Sequence, residues 1–131
     1  MNQKERKSRI LVVDDEANIR YTLKMILEYE GYIFYEAESG LKALEVLEEH
    51  PELDLILLDV RLPDFDGLKL LAELKKKPYP PEVIMISGHG TIEMAVEATK
   101  LGAFDFMEKP PTRDRVLLSI RNALEARRLK T

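Results

Sequence analysis

The sequence predicts an α/β domain: one five-stranded parallel sheet, doubly wound, with helices on both faces. Three observations carry the prediction. Short strand-like runs alternate with amphipathic helical stretches about five times along 131 residues. Three of the runs, Ile10-Leu11-Val12-Val13, Leu55-Ile56-Leu57-Leu58 and Val83-Ile84-Met85-Ile86, show no polar alternation, as strands covered on both faces should not. Turn and cap residues stand between the periodic stretches, and the helical lengths suit crossovers between parallel strands.

In order, Arg9–Val13 reads as the first strand and Glu16–Glu30 as a helix, with Ile19, Leu23, Ile26 and Leu27 on one face and Gly31 as its stop. Tyr32–Glu36 is the second strand. Ser39 starts a helix carrying Ala43, Leu44 and Leu47, which ends before Pro51. Asp54–Asp59 is the third strand, and Asp66 caps a helix over Gly67–Lys76 with Leu68, Leu71 and Leu74 inward. Pro78, Pro80 and Pro81 break that helix ahead of the fourth strand, Val83–Ser87. Thr91 caps a helix through Leu101, with Gly102 at its stop. Phe104–Met107 is the fifth strand, and a last helix runs from about Thr112 to Leu129. The natural strand order is 2-1-3-4-5, the flavodoxin-like arrangement, which puts the topological switch between strands one and three. Ligands in open α/β sheets bind outside the carboxyl ends of the strands at such a switch.

The chain is long enough for one domain with a buried core. Its net charge of −4 argues against non-specific nucleic-acid binding. No apolar stretch reaches the roughly 18–20 residues of a membrane span. Zero cysteines fit a cytoplasmic protein. Residues 1–8 are polar and basic and are expected to form a flexible extension, leaving 9–131 as the domain. The stretch 123–131 stays helical in character without a stop signal, so the chain is expected to lead there into a linker.

The chemistry lies at the strand ends. Asp14 and Asp15 follow the first strand, Asp59 ends the third, Ser87 ends the fourth, and Lys109 follows the fifth. A parallel sheet brings these ends to one edge. Each pair of carboxylates at about 4 Å costs roughly 4 kcal/mol at an effective dielectric of 20, so the cluster needs counter-charge. The Lys109 ammonium and one Mg²⁺ together balance three carboxylates, and Mg²⁺ suits hard oxygen ligands. One carboxylate is then placed to act as a nucleophile toward phosphorus, with the Ser87 hydroxyl as a third donor to the phosphoryl oxygens. Gly88 is expected to allow close backbone approach. Each residue also has a plain structural reading: Asp14-Asp15-Glu16 as a helix cap, Asp59 as a turn former, Lys109 as a solvated loop lysine, Ser87 as a helix-entry residue. All four would have to coincide at one sheet edge. His89 reads as an exposed loop residue.

From Arg9 to Leu129 the sequence resembles a response-regulator receiver domain. The resemblance rests on Val13-Asp14-Asp15-Glu16, Leu58-Asp59-Val60-Arg61-Leu62-Pro63, Asp66-Gly67, Ser87-Gly88 and Glu108-Lys109-Pro110, in order and with the family's spacing. Ile86-Ser87-Gly88-His89-Gly90-Thr91, Ala95-Val96 and Gly102-Ala103-Phe104-Asp105-Phe106 are further similar to the nitrogen-regulation group, receivers of sigma-54-dependent transcription activators. The resemblance implies that Asp59 accepts a phosphoryl group from the phosphohistidine of a sensor histidine kinase. It implies Asp15 as a direct Mg²⁺ ligand, Asp14 acting mainly through water, Asp59 and the Arg61 backbone carbonyl completing the set, and Lys109 on the phosphoryl group. It also implies a cis Lys109–Pro110 bond, and a switch pair, Ser87 and Phe106. Phe106 has the plain alternative of a core aromatic.

The expected function is a two-state switch rather than a metabolic enzyme, with an output domain, its own or a partner's, reading the face from about Thr91 to Leu129. Leu117, Leu118, Leu124 and Leu129 exceed what one terminal helix needs, so they are expected to serve core packing, a homodimer through the face of helix four, strand five and helix five, or a lead into a coiled-coil linker. A stand-alone receiver working by protein contact or in a phosphorelay is the alternative. A Mg²⁺-dependent phosphohydrolase would need an acid two residues after the nucleophile, where this chain has Arg61.

Overall fold

Five parallel strands form one sheet in the computed structural model, which describes residues 6–130. The strands are β1 (Arg9–Val13), β2 (Ile33–Ala37), β3 (Leu55–Asp59), β4 (Glu82–Ser87) and β5 (Asp105–Glu108). They alternate with α1 (Ala17–Tyr29), α2 (Gly40–Glu49), α3 (Gly67–Lys75), α4 (Ile92–Lys100) and α5 (Arg113–Leu129). The order is β2-β1-β3-β4-β5, so the three wholly apolar runs occupy the three interior places. Alternate residues of these strands feed two cores. Leu11, Val13, Ile56, Leu58, Val83 and Met85 pack with Ala43 and Val46 of α2, Leu68, Leu71 and Leu74 of α3, and Ala98 of α4. Ile10, Val12, Leu55, Leu57, Ile84 and Ile86 pack with Leu23 and Leu27 of α1 and Val116, Leu117, Ile120 and Ala123 of α5. Each fully buried leucine or isoleucine contributes about 1.5–3 kcal/mol.

The helix starts follow local chemistry. Ser39, Asp66, Thr91 and Thr112 each accept a backbone N–H through the side chain, contacts worth about 0.5–2 kcal/mol apiece. Gly31 and Gly102 take positive φ just past the ends of α1 and α4, where a Cβ would be strained.

The differences from the sequence reading are small and have causes. The last strand begins at Asp105, with Phe104 left part-exposed, and runs on to Glu108, because β4 extends to Ser87 and pairs with it. Glu82 belongs to β4 although it is an acid buried to 3 % exposure; its carboxylate meets Lys130 at 2.8 Å and Lys75 at 3.9 Å. In the expected extension, residues 1–5 lie outside the described residues, while 6–8 are tied down as the lead-in to β1. The Ser8 carbonyl accepts from Ile33 N–H at 2.9 Å, and the Arg6 guanidinium lies 3.2 Å from Asp54. On α5, Leu117 and Leu124 pack into the core, whereas Leu118 and Leu129 are exposed. Core packing thus accounts for two of the four leucines, and the other two face solvent. Among the described residues, no helix is long and apolar enough to cross a membrane.

Candidate functional site

Strand register builds the site. Val13 pairs with Leu58, and Asp59 pairs with Ile86, while Ser87 pairs with Glu108. Asp14, Asp59, Ser87 and Lys109 therefore leave the sheet side by side. Asp59 lies on the middle strand of the group, with Asp14 on one side and Ser87 on the other. Asp14 and Asp59 are buried and Asp15 is exposed, and one oxygen from each of the three lies within 4.8 Å of the others. Three hard carboxylate oxygens at that spacing fit a small divalent cation such as Mg²⁺.

The Lys109 ammonium sits in the middle of this charge. It is 2.8 Å from Asp14 Oδ2, 2.8 Å from Asp59 Oδ2 and 3.1 Å from Glu16 Oε1. Burial works to lower its pKa, but the hydrogen bonds to Asp14, Asp59 and Glu16 outweigh burial and hold it well above the ordinary lysine value. Burial also raises Asp14, with Asp59 adding repulsion, against the lowering effect of Lys109 and of the Glu16 N–H. The remaining carboxylate oxygens are aimed by local turns: Asp14 Oδ1 accepts from Glu16 N–H at 2.8 Å, and Asp59 Oδ1 accepts from Arg61 N–H at 3.1 Å. Lys109 is in turn held by its own N–H, which donates to the Ser87 carbonyl at 2.8 Å, and the Lys109–Pro110 peptide is cis.

Ser87 is buried, and its Oγ accepts from His89 N–H at 3.2 Å. His89 is exposed. Phe106 is half-buried against the core of the α2–α3–α4 face. Its ring lies over Gly90: a Cβ there would come within 2.7 Å of Phe106 Cε1 and 3.6 Å of Ser87 Cβ. The close approach expected of Gly88 belongs instead to Gly90 and Gly67, since a Cβ on Gly88 would meet only Lys109 Cδ, at 4.0 Å. A Cβ on Gly67 would collide with the backbone carbonyl of Asp59 and lie 2.8 Å from Val60 Cα and O. Backbone cannot yield as a side chain can, so Gly67→Ala is expected to lower unfolding free energy by about 3 kcal/mol. Urea denaturation checks this.

Three contributors escaped the sequence reading. In the sequence Glu16 stands out only as a cap residue and as the last member of the Val13-Asp14-Asp15-Glu16 motif, with no role of its own, yet its side chain makes no cap bond and turns to Lys109. Asp64 accepts from Gly40 N–H at 2.8 Å and Leu41 N–H at 2.9 Å, pinning the loop after Asp59 to the start of α2. Those donors hold its carboxyl below the usual range. Arg20 donates to the backbone carbonyl of Asp14 at 2.7 Å. Only Glu16 had a signal in the sequence, its place beside two other acids. The other two contacts join segments far apart in the chain or reach a backbone atom.

Comparison with known proteins agrees with this architecture. The profile of the response regulator receiver domain matches residues 10–121. A putative NtrX-like response regulator of Rickettsia bellii is 42 % identical over 123 residues, covering 92 % of this chain and 26 % of that protein. The chain thus spans about a quarter of the length of such relatives. A receiver domain protein from Clostridium thermocellum superposes with a TM-score of 0.88 at 33 % identity, covering 95 % of this chain and 99 % of that one. The beryllofluoride-activated NtrC4 receiver domain dimer gives 0.85 at 42 % identity, covering 91 % and 98 %. With its profile, its strand order and its acidic edge all in agreement, the chain belongs to the response regulator receiver domain family.

Proposed function

We propose that Asp59 is the phosphoacceptor of a two-component switch, taking its phosphoryl group from a phosphohistidine of a sensor histidine kinase. The observation that carries the reading is the position of Asp59. It is buried, central on the sheet edge, 2.8 Å from the Lys109 ammonium, and flanked by β1, which Asp14 follows, and by β4, which ends in Ser87. In the transfer, an Asp59 carboxylate oxygen forms a bond to phosphorus as the donor's P–N bond breaks. The imidazole nitrogen keeps that electron pair and takes a proton from solvent. Asp14, Asp15, Asp59 and the Arg61 carbonyl would hold Mg²⁺, which when bound neutralises charge on the carboxylates and the phosphoryl oxygens. Lys109 supplies the remaining positive charge where the phosphoryl oxygens arrive, and its ion pairs keep it protonated there.

Phosphorylation adds charge and strong acceptor oxygens at Asp59. The Ser87 hydroxyl then turns to a phosphoryl oxygen and releases His89 N–H. Phe106, seated beside Ser87 over Gly90, follows, which biases the β4–α4 loop, α4 and β5. The readout surface is the α4–β5–α5 face, where Ile92, Val96, Phe104 and Leu118 are exposed. A homodimer forms through this face; the dimer described for the NtrC4 receiver supports dimerisation as such, and the exposed apolar residues favour this face for it. The end of α5 leads into a linker to an output domain of a cytoplasmic sigma-54-dependent activator. The length and NtrX-like character of the relatives support this. This segment, acidic overall, leaves DNA contact to that output.

Incubating the chain with Mg²⁺ and a small phosphodonor tests the reading by intact mass. The expected result is one added phosphoryl group, released by hydroxylamine as an acyl phosphate should be, and no addition in the presence of a chelator. An unchanged mass with Mg²⁺ present rejects it.

A further inference from the structure

Arg20 has an ordinary explanation as a surface helix residue. It pairs with Glu36, Nε to Oε1 at 2.8 Å, and an exposed ion pair of this kind is worth about 0–1 kcal/mol. That explanation leaves the second contact unaccounted for. The other arm of the same guanidinium donates to the backbone carbonyl of Asp14 at 2.7 Å, with the Arg20 side chain only 17 % exposed. The guanidinium fork therefore joins the carboxyl end of β2 to the peptide unit between Asp14 and Asp15.

That peptide unit sets the direction of Asp15. Asp14 N–H is already fixed to the Ala37 carbonyl at 3.0 Å, and Asp14 Oδ1 fixes Glu16 N–H at 2.8 Å. Asp15 is different. Its carboxylate is exposed and makes no hydrogen bond or ion pair among the described residues. Nothing that touches the Asp15 side chain orients it, so its aim depends on the backbone on either side. On the strand side, the Arg20 contact holds that backbone.

We infer that Arg20 is a positioning residue for the metal site, clamping the Asp14–Asp15 peptide so that the Asp15 carboxylate faces Asp14 and Asp59. The inference rests on the reading of Asp15 as a Mg²⁺ holder. It makes a prediction opposite in sign to simple electrostatics. Removing a cation from beside three carboxylates should tighten Mg²⁺ binding if charge is all that Arg20 supplies. Losing a support behind a ligand weakens binding, by about ten-fold where such supports have been removed from metal sites. Lysine keeps the charge but lacks the fork that spans Glu36 and the Asp14 carbonyl together.

The test compares wild type, Arg20→Met, Arg20→Lys and Asp15→Asn. Mg²⁺ affinity is read by amide chemical-shift titration, and backbone order at Asp15 and Glu16 is read by ¹⁵N relaxation in metal-free protein. Expected are about ten-fold weaker Mg²⁺ binding in Arg20→Met, a smaller weakening in Arg20→Lys, and lowered order at Asp15 before any metal is added. Equal or tighter binding in Arg20→Met, or unchanged order at Asp15, overturns the inference. Should Arg20→Met fold poorly, Arg20→Lys carries the same test, since charge alone predicts no change for it. If Asp15→Asn leaves wild-type affinity intact, the metal reading itself fails. If Asp15→Asn weakens binding and the Arg20 variants do not, only the role of Arg20 falls.

Discussion

Asp59→Ala is expected to take up no phosphoryl group under conditions that load the wild-type chain. The alternatives are close at hand, because Asp14 is equally buried and shares Lys109 with Asp59 at the same 2.8 Å. Each also has one oxygen tied by a backbone N–H two residues on. What separates them is placement. Asp14 leaves β1, whose other neighbour is β2, while Asp59 leaves β3 and has the Ser87 strand at its side. A phosphoryl group on Asp59 meets Lys109 and can be met by Ser87. Asp14→Asn should accordingly slow uptake without abolishing it at high Mg²⁺, because it removes a charge from the cation site and not the nucleophile. Intact mass reads both variants. A phosphoryl adduct that persists in Asp59→Ala would move the chemistry to another carboxylate.

Lys109→Met carries the largest expected cost in stability. The Lys109 side chain is 10 % exposed, and its ammonium bridges the carboxylates of two aspartate side chains that are 4 % and 5 % exposed. Removing one partner of a buried ion pair costs about 3–5 kcal/mol, because the charge left behind has no compensation. Asp14 already has a raised pKa from burial and from Asp59, even with Lys109 opposing the rise. Without Lys109 the rise grows. A carboxyl whose folded pKa exceeds its unfolded value binds more protons in the folded state, so stability increases as pH falls through the folded pKa. The deficit in Lys109→Met should therefore be largest near pH 7 and shrink toward pH 5. Added Mg²⁺ should recover part of it at neutral pH, because the cation restores the charge balance. Urea denaturation with and without Mg²⁺ measures both effects. A loss below about 1 kcal/mol at neutral pH in metal-free protein would mean that the acids do not need Lys109.

These two results bear on different steps of the same design. The Asp59 variant removes the atom that would bond to phosphorus. The Lys109 variant removes the charge that lets buried acids persist while they wait for it. The proposed function depends on keeping a repulsive cluster folded, and the cluster is tolerated because the strands that carry its acids, β1 and β3, are interior and apolar over Ile10–Val13 and Leu55–Leu58.

Much of this was legible in the linear sequence because the relevant physics is local or periodic. Apolar runs without alternation marked β1, β3 and β4 as interior strands, and Ser39, Asp66, Thr91 and Thr112 marked helix starts through short-range hydrogen bonds. Parallel topology then forced Asp14, Asp15, Asp59, Ser87 and Lys109 to one edge, because every strand presents its carboxyl end there. Other features were settled by folding in three dimensions. Glu16 joins Lys109 across 93 positions of sequence separation, and Asp64 reaches back to α2, pairings that no local pattern encodes. The demand for glycine at positions 67 and 90 rather than 88 depends on which backbone and ring come to lie opposite. Arg20 illustrates the division most clearly: its residue type and helix position fit any solvent-facing arginine, and its reach to a backbone carbonyl exists only once α1 lies against the end of β1. Composition and periodicity select which atoms meet at the sheet edge. The aim of each carboxylate is decided by peptide planes and long-range hydrogen bonds, because a carboxylate's direction depends on contacts that adjacent residues do not supply.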